Sequence, residues 1–251
     1  MKILGSDFDG TLTQGGIGEE KCAAIRKWRE SGNKFGIVSG RGCSSIAWIR
    51  KKFPGLEWDF FVAYNGGTIL DSNGNILSET RCIDVSANAF VSDLLSWGCK
   101  FVHVDSDRYL CAVADLDDRP EKVAPEDTVL LCQMPVIKDF YQISIMLPTV
   151  EDSTAMVECI RAAYGQWLSP LQNGKCIDIV PKGVNKARGL WRIMEMLHAS
   201  HEDVIAVGDN INDTDMIREF RSYAMANGVK AIRDLADGIV SDVTEIIEKE
   251  M

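Results

Sequence analysis

The chain has 251 residues, enough for one large domain or two modest ones, and its 46% hydrophobic and 25% charged residues are typical of folded globular proteins rather than disordered or fibrous ones. Its 27 Lys and Arg residues against 37 Asp and Glu residues give a net charge of −10, which disfavours binding to the phosphate backbone of DNA or RNA. No apolar run reaches the about 18 residues of a membrane span, and Asp7 and Asp9 come before any signal-peptide core, so we expect a cytoplasmic protein with neither nucleic acid nor membrane as partner.

The N-terminal region alternates predicted strands with predicted helices. Apolar runs that end in polar or glycine-containing turns predict strands at 3–6, 35–38 and 60–63, and helical spacing of apolar residues predicts helices at 19–29 and 46–53. This β-α-β-α-β order predicts a parallel sheet with helices on both faces. Two short apolar runs then flank Asp71-Ser72-Asn73-Gly74, which indicates a β-hairpin.

The pattern changes in the middle of the chain and returns near the C-terminus. Residues 82–180 contain longer strand-like runs, at 140–147 and 176–180, and helical patterns at 87–97 and 152–164. The alternating pattern resumes after Pro181 with helices at 185–197 and 214–220 and strands at 204–207, 223–226 and 239–240. The sequence therefore predicts an α/β core formed by 1–81 and 181–251, interrupted by an α+β domain at 82–180.

Charge is distributed unevenly between the two predicted domains. Residues 82–180 hold 7 Lys and Arg residues and 15 Asp and Glu residues, a net charge of −8, which leaves −2 for the rest of the chain. Most of the acidity of the protein therefore belongs to the predicted insertion.

Polar residues that terminate predicted strands are the first candidates for chemistry, because open α/β sheets bind ligands beyond the carboxyl ends of their strands. If these strands are neighbours, Asp7, Asp9, Asp209 and Asp213 bring four carboxylates into one crevice. Such crowding is costly unless a cation neutralises it. Oxygen ligands without a Cys or His partner suit Mg²⁺ rather than Zn²⁺, so we predict a magnesium site.

The pair Asp7 and Asp9 is suited to phosphoryl transfer. One carboxylate can attack phosphorus and the other can handle protons, while Lys186 supplies positive charge and the Ser39 hydroxyl with the backbone amides after it holds phosphate oxygens. Each of these signals alone is weak, since an Asp pair at a strand end is usually a turn or a helix cap. A calcium loop is excluded because Leu12 stands where that loop needs glycine.

Five motifs occur in a fixed order along the chain: DFDGTLT at 7–13, SGR at 39–41, NGG at 65–67, PKGVNK at 181–186 and GDNINDTDM at 208–216. Together they resemble the haloacid dehalogenase-like hydrolase superfamily. The large insertion between the second and third family motifs, with Asn65-Gly66-Gly67, is similar to the Cof-type, sugar-phosphatase-like branch. That resemblance implies a Rossmann-like catalytic core and an inserted α+β cap domain of type IIB that covers the active site and sets substrate specificity.

The resemblance also implies roles for individual residues. Asp7 would be the nucleophile and Asp9 the general acid/base, and Mg²⁺ would be held by Asp7, Asp209 and the backbone carbonyl of Asp9. Asp213 would support the metal indirectly, through its ligands. The residues expected to bind the phosphate group are Phe8, Ser39, Gly40, Lys186 and Asn212. Members of the family usually have glycine after the lysine, whereas Ala187 follows Lys186 here, so Lys182 stays an alternative phosphate ligand.

The activity implied by the resemblance is a Mg²⁺-dependent phosphatase that hydrolyses phosphate monoesters of small metabolites, such as sugar phosphates, through an aspartyl-phosphate intermediate. An acid at position 9 implies phosphate esters, because dehalogenases lack it and phosphonate-cleaving relatives carry a small residue there. A phosphomutase or phosphotransferase shares the same motifs and stays open. A receiver-like phosphorylatable switch fits less well, because it needs neither the inserted domain nor Asp9.

Overall fold

A computed structural model describes residues 1–251 of the protein. The fourteen strands are β1 (Ile3–Ser6), β2 (Lys34–Val38), β3 (Phe60–Ala63), β4 (Thr68–Asp71), β5 (Ile76–Glu79), β6 (Phe101–Asp105), β7 (Tyr109–Val113), β8 (Thr128–Leu130), β9 (Gln142–Met146), β10 (Leu168–Asn173), β11 (Cys176–Pro181), β12 (Val204–Gly208), β13 (Arg221–Met225) and β14 (Gly238–Val240). The eight helices are α1 (Glu19–Glu30), α2 (Cys43–Lys52), α3 (Ala87–Ser96), α4 (Val150–Tyr164), α5 (Lys186–Met196), α6 (Thr214–Glu219), α7 (Lys230–Arg233) and α8 (Val243–Glu250).

The chain divides into two units, one discontinuous and one continuous. Met1–Glu79 and Val184–Met251 together form the first, called the core unit below, and Thr80–Gly183 forms the second, called the inserted unit. The sheet of the core unit has the strand order β14-β13-β12-β1-β2-β3-β4-β5. Its first six strands are parallel, and the hairpin β4–β5 is antiparallel. The predicted α/β class with a parallel core sheet is confirmed.

Strand β1 lies at the centre of this sheet, and its four residues are apolar or small and all buried. It pairs with β12 on one side and β2 on the other, both in parallel register. Helices α5 and α6 pack on the sheet through one apolar cluster that contains Leu190, Ile193 and Met216 together with Ile3 and Val62. Burial of these side chains, at roughly 25 cal/mol per Å² of apolar surface, stabilises the strand ends that carry the candidate site.

The inserted unit is an α+β structure with its own core. Its sheet has the order β10-β11-β9-β6-β7-β8, and every pair is antiparallel except β7 with β8. Apolar side chains of α3 and α4, among them Phe90 and Ile160, share one buried cluster with Val104, Ile143 and Ile179 of the sheet. That this unit selects the substrate stays a prediction.

Most elements predicted from the sequence are present, with ends that shift by no more than three residues, as expected at frayed termini. Strands β6, β7, β8 and β10 and helices α7 and α8 were not predicted. No helix of the protein combines the length and the apolar character needed to cross a membrane.

Candidate active site

The candidate site lies at one edge of the core sheet, where four neighbouring parallel strands end. Asp209, Asp7 and Ser39 come directly after β12, β1 and β2, and the left-handed turn at Asn65 follows β3. Backbone hydrogen bonds tie these loops to adjacent strands: the Asp7 amide donates to the Val207 carbonyl (2.9 Å), and the Ser39 amide donates to the Val62 carbonyl (2.8 Å). The carboxyl ends of parallel strands thus meet at one edge, as the sequence predicted.

A buried lysine joins two of the carboxylates. Lys186 lies in the first turn of α5, and its side chain is fully buried. Its Nζ donates to Asp7 Oδ1 and to Asp213 Oδ1, each at 2.6 Å. The start of α5 is fixed because the Asn185 side chain accepts a hydrogen bond from the Arg188 amide at 2.9 Å. The lysine is therefore held between two acids that come from opposite ends of the sequence.

Asp213 and Asp209 complete the acidic cluster. Asp213 Oδ2 accepts hydrogen bonds from the amides of Asp209 (2.9 Å) and Asn210 (3.0 Å), which fixes the loop after β12. Thr11 Oγ1 donates to Asp209 Oδ1 at 2.7 Å. One carboxylate oxygen each from Asp7, Asp209 and Asp213 lies within 4.8 Å of the others. These three acids are called the acidic cluster below.

Two glycines permit this close approach. Gly10 has φ +78°, and a Cβ there would lie 2.5 Å from Asp209 Oδ2. A Cβ on Gly208 would lie 2.5 Å from Asp213 Oδ2. Any larger residue at either position would displace a carboxylate of the acidic cluster, so the glycines of the first and last motifs are required by packing.

The acidic cluster carries more negative charge than Lys186 can neutralise. Burial raises the pKa of Asp7 to about 8, because Lys186 only partly offsets that burial and the charges of Asp213 and Asp209 raise the pKa further. Burial also raises the pKa of Asp209, with a further contribution from Asp213 against the hydrogen bond from Thr11. Three acids with one lysine carry a formal charge of −2. The cluster is therefore short of positive charge.

Asp9 differs from the expectation that four carboxylates gather in one crevice. Its side chain is 57% exposed and is not part of the acidic cluster. Both of its oxygens accept hydrogen bonds from the Arg41 guanidinium, Oδ2 from Nε at 2.6 Å and Oδ1 from Nη2 at 2.8 Å. Three of the four predicted acids come together, and the fourth pairs with an arginine instead.

The predicted phosphate-binding residues near β1 and β2 also lie in these loops. Ser39 is buried, and its Oγ accepts a hydrogen bond from the Arg41 amide at 3.2 Å. Phe8 is buried between the two aspartates of its motif, with its ring edge-on to Phe53 at 6.2 Å. Gly40 connects Ser39 to Arg41. Their roles toward phosphate stay predictions.

Lys186 and Lys182, the two candidate phosphate ligands, lie in different parts of the structure. Lys186 contacts Asp7 in the core unit, whereas Lys182 is exposed and belongs to the inserted unit. Asn212 is half-buried in the short 3₁₀ turn Ile211–Asp213, which carries Asp213 of the acidic cluster. Within the core unit, Lys186 is the lysine that contacts Asp7, and its role toward phosphate stays a prediction.

The sequence matches the family described as haloacid dehalogenase-like hydrolase over residues 4–246. This chain belongs to that family. As a haloacid dehalogenase-like hydrolase it is 24% identical over 246 residues to the 5-amino-6-(5-phospho-D-ribitylamino)uracil phosphatase YcsE of Bacillus subtilis, a match that covers 95% of this chain and 89% of the relative. The family and its phosphatase relatives identify the enzyme as a phosphoric monoester hydrolase of the Cof-type branch.

Solved structures have the same fold as this haloacid dehalogenase-like hydrolase. A haloacid dehalogenase-like hydrolase from B. subtilis superposes with a TM-score of 0.82 at 19% identity, over 100% of both chains. The subclass IIB sugar phosphatase BT4131 superposes with a TM-score of 0.77 at 16% identity, over 100% of this chain and 99% of the other. The likeness covers the core unit and the inserted unit.

Two residues near the site were not recognised as such from the sequence. Thr11 lies inside the first motif and holds Asp209, and Asn227 donates from Nδ2 to the Gly10 carbonyl at 2.9 Å. Asn227 follows strand β13 within Ala226-Asn227-Gly228, so the strand-end rule that found Asp7 and Asp209 also applies to it. Both residues act on the loop that bears Asp7 and Asp9.

The residues of the acidic cluster fit a magnesium ion. Their donors are all carboxylate oxygens, the type of ligand that Mg²⁺ prefers, and no Cys or His takes part. A divalent cation would offset the formal charge of −2 that Lys186 leaves uncompensated. The pKa of Asp7 is raised first by burial and further by the charges of Asp213 and Asp209, and a bound cation would lower it by stabilising the carboxylate.

Proposed function

We propose that this hydrolase is a Mg²⁺-dependent phosphatase that acts on phosphate monoesters of small metabolites, with the phosphoryl group carried transiently by Asp7. The observation that carries the proposal is the buried Asp7 carboxylate at the end of the central strand, hydrogen-bonded to Lys186 and adjacent to Asp209 and Asp213. A carboxylate is a competent nucleophile toward phosphorus when cationic groups offset the charge of the phosphoryl group.

In the first half of the reaction an oxygen of Asp7 attacks the phosphorus atom and the bond from phosphorus to the ester oxygen breaks. Lys186 fixes Asp7 through Oδ1 and contributes positive charge as the phosphoryl group transfers. The leaving oxygen takes a proton from Asp9, which begins this step as the carboxylic acid and whose exposed side chain lies on the same loop. The products of this half are the free alcohol and an acyl phosphate on Asp7.

In the second half a water molecule attacks the acyl phosphate. Asp9, now deprotonated, takes a proton from that water as the bond between phosphorus and the Asp7 oxygen breaks. Inorganic phosphate leaves and both aspartates return to their starting states. The same residue serves as acid and then as base because the two halves are the reverse of one another in proton movement.

Asp7, Asp209 and the backbone carbonyl of Asp9 would hold the metal, and Asp213 would support it by fixing the Asp209 amide and Lys186. When bound, Mg²⁺ supplies positive charge to the oxygens of the transferring phosphoryl group. The Ser39 hydroxyl and the amides of Phe8 and Gly40, with Asn212, would bind the remaining phosphate oxygens.

The leaving group is proposed to be a small polyol or sugar. A named relative acts on a phosphorylated ribityl compound, and a structural relative is a sugar phosphatase. The net charge of −8 on residues 82–180 supports a preference for monophosphates with neutral or cationic leaving groups. Bisphosphates and nucleoside triphosphates would bring further negative charge to this region if it contacts the substrate.

The test is release of inorganic phosphate from a panel of phosphorylated metabolites, compared as kcat/KM at fixed ionic strength and saturating Mg²⁺. We expect a sugar or polyol monophosphate to rank first, and Asp7→Asn to lower kcat by a factor on the order of 10⁴ or more. Asp215→Asn, an exposed aspartate of α6, is the matched control and should retain full activity. Undiminished turnover by Asp7→Asn would refute the proposed nucleophile.

A further inference from the structure

Arg41 is the one residue of the SGR motif to which neither the family resemblance nor the proposed mechanism gives a role. Its guanidinium forms a two-pronged hydrogen-bonded pair with Asp9, Nε to Oδ2 at 2.6 Å and Nη2 to Oδ1 at 2.8 Å. Arg41 and Asp9 come from the loops after two adjacent strands, β2 and β1. The pair therefore connects the loop after β1, which carries the proposed acid/base Asp9, to the loop after β2.

The backbone of Arg41 is fixed on both sides. Its amide donates to Ser39 Oγ at 3.2 Å, and its carbonyl accepts from the Tyr64 amide at 3.1 Å. A Cβ on the following Gly42 would lie 2.5 Å from the Tyr64 ring, so the loop after β2 packs directly against the turn after β3. These contacts fix the loop after β2, which carries Arg41.

The guanidinium is also fixed by an aromatic ring. It lies 5.5 Å from the centre of the Phe8 ring, and Phe8 is buried against Phe53 at the end of α2. Phe8 stands between Asp7 and Asp9 in the chain, so the ring that supports the arginine belongs to the loop that Arg41 holds. Arg41 is thus placed by three contacts that do not involve Asp9.

We propose that Arg41 is the positioning residue for Asp9, holding its carboxylate in one orientation for proton transfer to the leaving group. Without the fork, a side chain that is 57% exposed rotates freely in water. The fork uses one lone pair on each carboxylate oxygen and leaves the second lone pair of each oxygen available for another hydrogen bond. This inference rests on the acid/base role proposed for Asp9.

The experiment compares four esters whose leaving groups differ in their need for a proton: dinitrophenyl, nitrophenyl, phenyl and ethyl phosphate. The quantity measured is kcat/KM with saturating Mg²⁺, because it reports the steps up to formation of the acyl phosphate. Arg41→Ala should lower kcat/KM for ethyl phosphate by about 10- to 100-fold, and for dinitrophenyl phosphate by less than about threefold. Arg41→Lys, which keeps the charge but not the fork, should fall between Arg41→Ala and the wild type.

The same series with Asp9→Asn separates the two proposals. Asp9→Asn should lower kcat/KM for ethyl phosphate by about 10² to 10⁴, again with little effect on dinitrophenyl phosphate. Adding Arg41→Ala to Asp9→Asn should cause no further loss, since a positioning residue has nothing left to position. If Asp9→Asn depends on the leaving group but Arg41→Ala does not, only the role of Arg41 is overturned. If Asp9→Asn lowers kcat/KM equally for all four esters, the acid/base role of Asp9 is overturned, and the role of Arg41 is overturned with it.

Two further results bear on the assignment. A uniform loss across the four esters with Arg41→Ala would place Arg41 on the transferring phosphoryl group instead, and would contradict the proposal. Arg26→Ala removes an arginine of α1 that lies 3.8 Å from Glu57 and 3.9 Å from Glu19, and it should leave all four values unchanged. Arg41→Gln, which keeps a side-chain amide donor, replaces Arg41→Ala in the series if the alanine variant fails to fold.

Discussion

The core unit contains two buried lysines, and their surroundings differ in one respect. Lys186, at the start of α5, donates to two carboxylates, Asp7 and Asp213, and a third carboxylate, Asp209, lies beside them. Lys21, in the first turn of α1, is 4% exposed and donates to the carbonyls of Leu12 and Gln14, each at 2.8 Å, and to Asp242 at 2.9 Å. Both ammonium groups are well bonded, but only one lies among an excess of acids.

The comparison shows what separates a structural ion pair from a candidate site. The three N–H bonds of Lys21 meet three acceptors of which one is charged, so its surroundings are neutral and complete. Asp242 also caps α8 by accepting from the Thr244 amide at 3.0 Å, so Lys21 ties α1, α8 and the loop after β1 together. Around Lys186 the acids outnumber the lysine, and that uncompensated negative charge favours the binding of a cation.

Removal of divalent metal is expected to have the largest effect, and only on the Lys186 region. With excess chelator, phosphatase activity should fall to background and return on addition of Mg²⁺. At a Mg²⁺ concentration about 100 times its dissociation constant, binding should also stabilise the folded protein by about 2.7 kcal/mol. Asp209→Asn should abolish this stabilisation, measured as the shift in the thermal unfolding midpoint. Full activity in chelator would contradict the metal assignment.

Lys186→Met should rank next. It leaves Asp7 and Asp213 buried without their counter-charge, which typically costs about 3–5 kcal/mol of folding free energy. We also expect kcat to fall by a factor on the order of 10³ because Asp7 loses its positioning contact and the phosphoryl group loses a positive charge. Urea unfolding and phosphate release measure the two effects separately. A variant with wild-type kcat would show that Lys186 is only structural.

Lys21→Met is the matched control for Lys186→Met and should lower stability alone. It leaves two backbone carbonyls without a donor, and each buried unsatisfied group costs about 1–3 kcal/mol, so we expect a loss of about 2–6 kcal/mol in urea unfolding. The kcat/KM of the folded variant should stay within about threefold of wild type, since Lys21 contacts none of the proposed catalytic groups. A large loss of kcat at unchanged stability would reverse the contrast between the two lysines.

Substitution of Asp59 is expected to have the smallest effect, and it concerns stability alone. It tests a third charged environment in the core unit. Burial alone would raise the pKa of Asp59, but hydrogen bonds from Arg29, the Phe35 amide and Lys34 lower it below its usual range. Its contribution to stability is therefore complete above the unfolded pKa of about 3.9 and is lost as the pH falls through the lower folded value. Asp59→Asn should cost about 1–2 kcal/mol at neutral pH. That difference should shrink in strong acid, and a difference independent of pH would contradict this origin.

Much of the core fold could be predicted from the sequence, because its strands are short apolar runs that end at glycine or a polar residue. The bounds of β1 and β3 were predicted to the residue for this reason. Strands β6 and β7 were not predicted, since the turn between them, Ser106-Asp107-Arg108, lacks the glycine or asparagine that marks a hairpin. Strand β10 contains Pro170, which argues against a strand, and β10 proves to be an edge strand, where proline is tolerated.

The candidate site divides in the same way. That Asp7, Asp209 and Asp213 come together follows from the strand-end rule, and it was predicted without knowing any contact. The hydrogen bonds from Arg41 to Asp9 and from Lys186 to two carboxylates depend on the conformations of particular side chains. No period or motif in the sequence contains that information.

The most direct test of the account is to locate the phosphoryl group during turnover. The enzyme is mixed with excess substrate and Mg²⁺, quenched in acid within the first turnovers, digested and mapped by mass spectrometry, with Asp9→Asn included because loss of the base should slow hydrolysis of the intermediate. The account predicts a phosphoryl group on Asp7 in the wild type and a higher occupancy of Asp7 in Asp9→Asn. A phosphoryl group on Asp9 or on another side chain, or none on Asp7 in either protein, would contradict it.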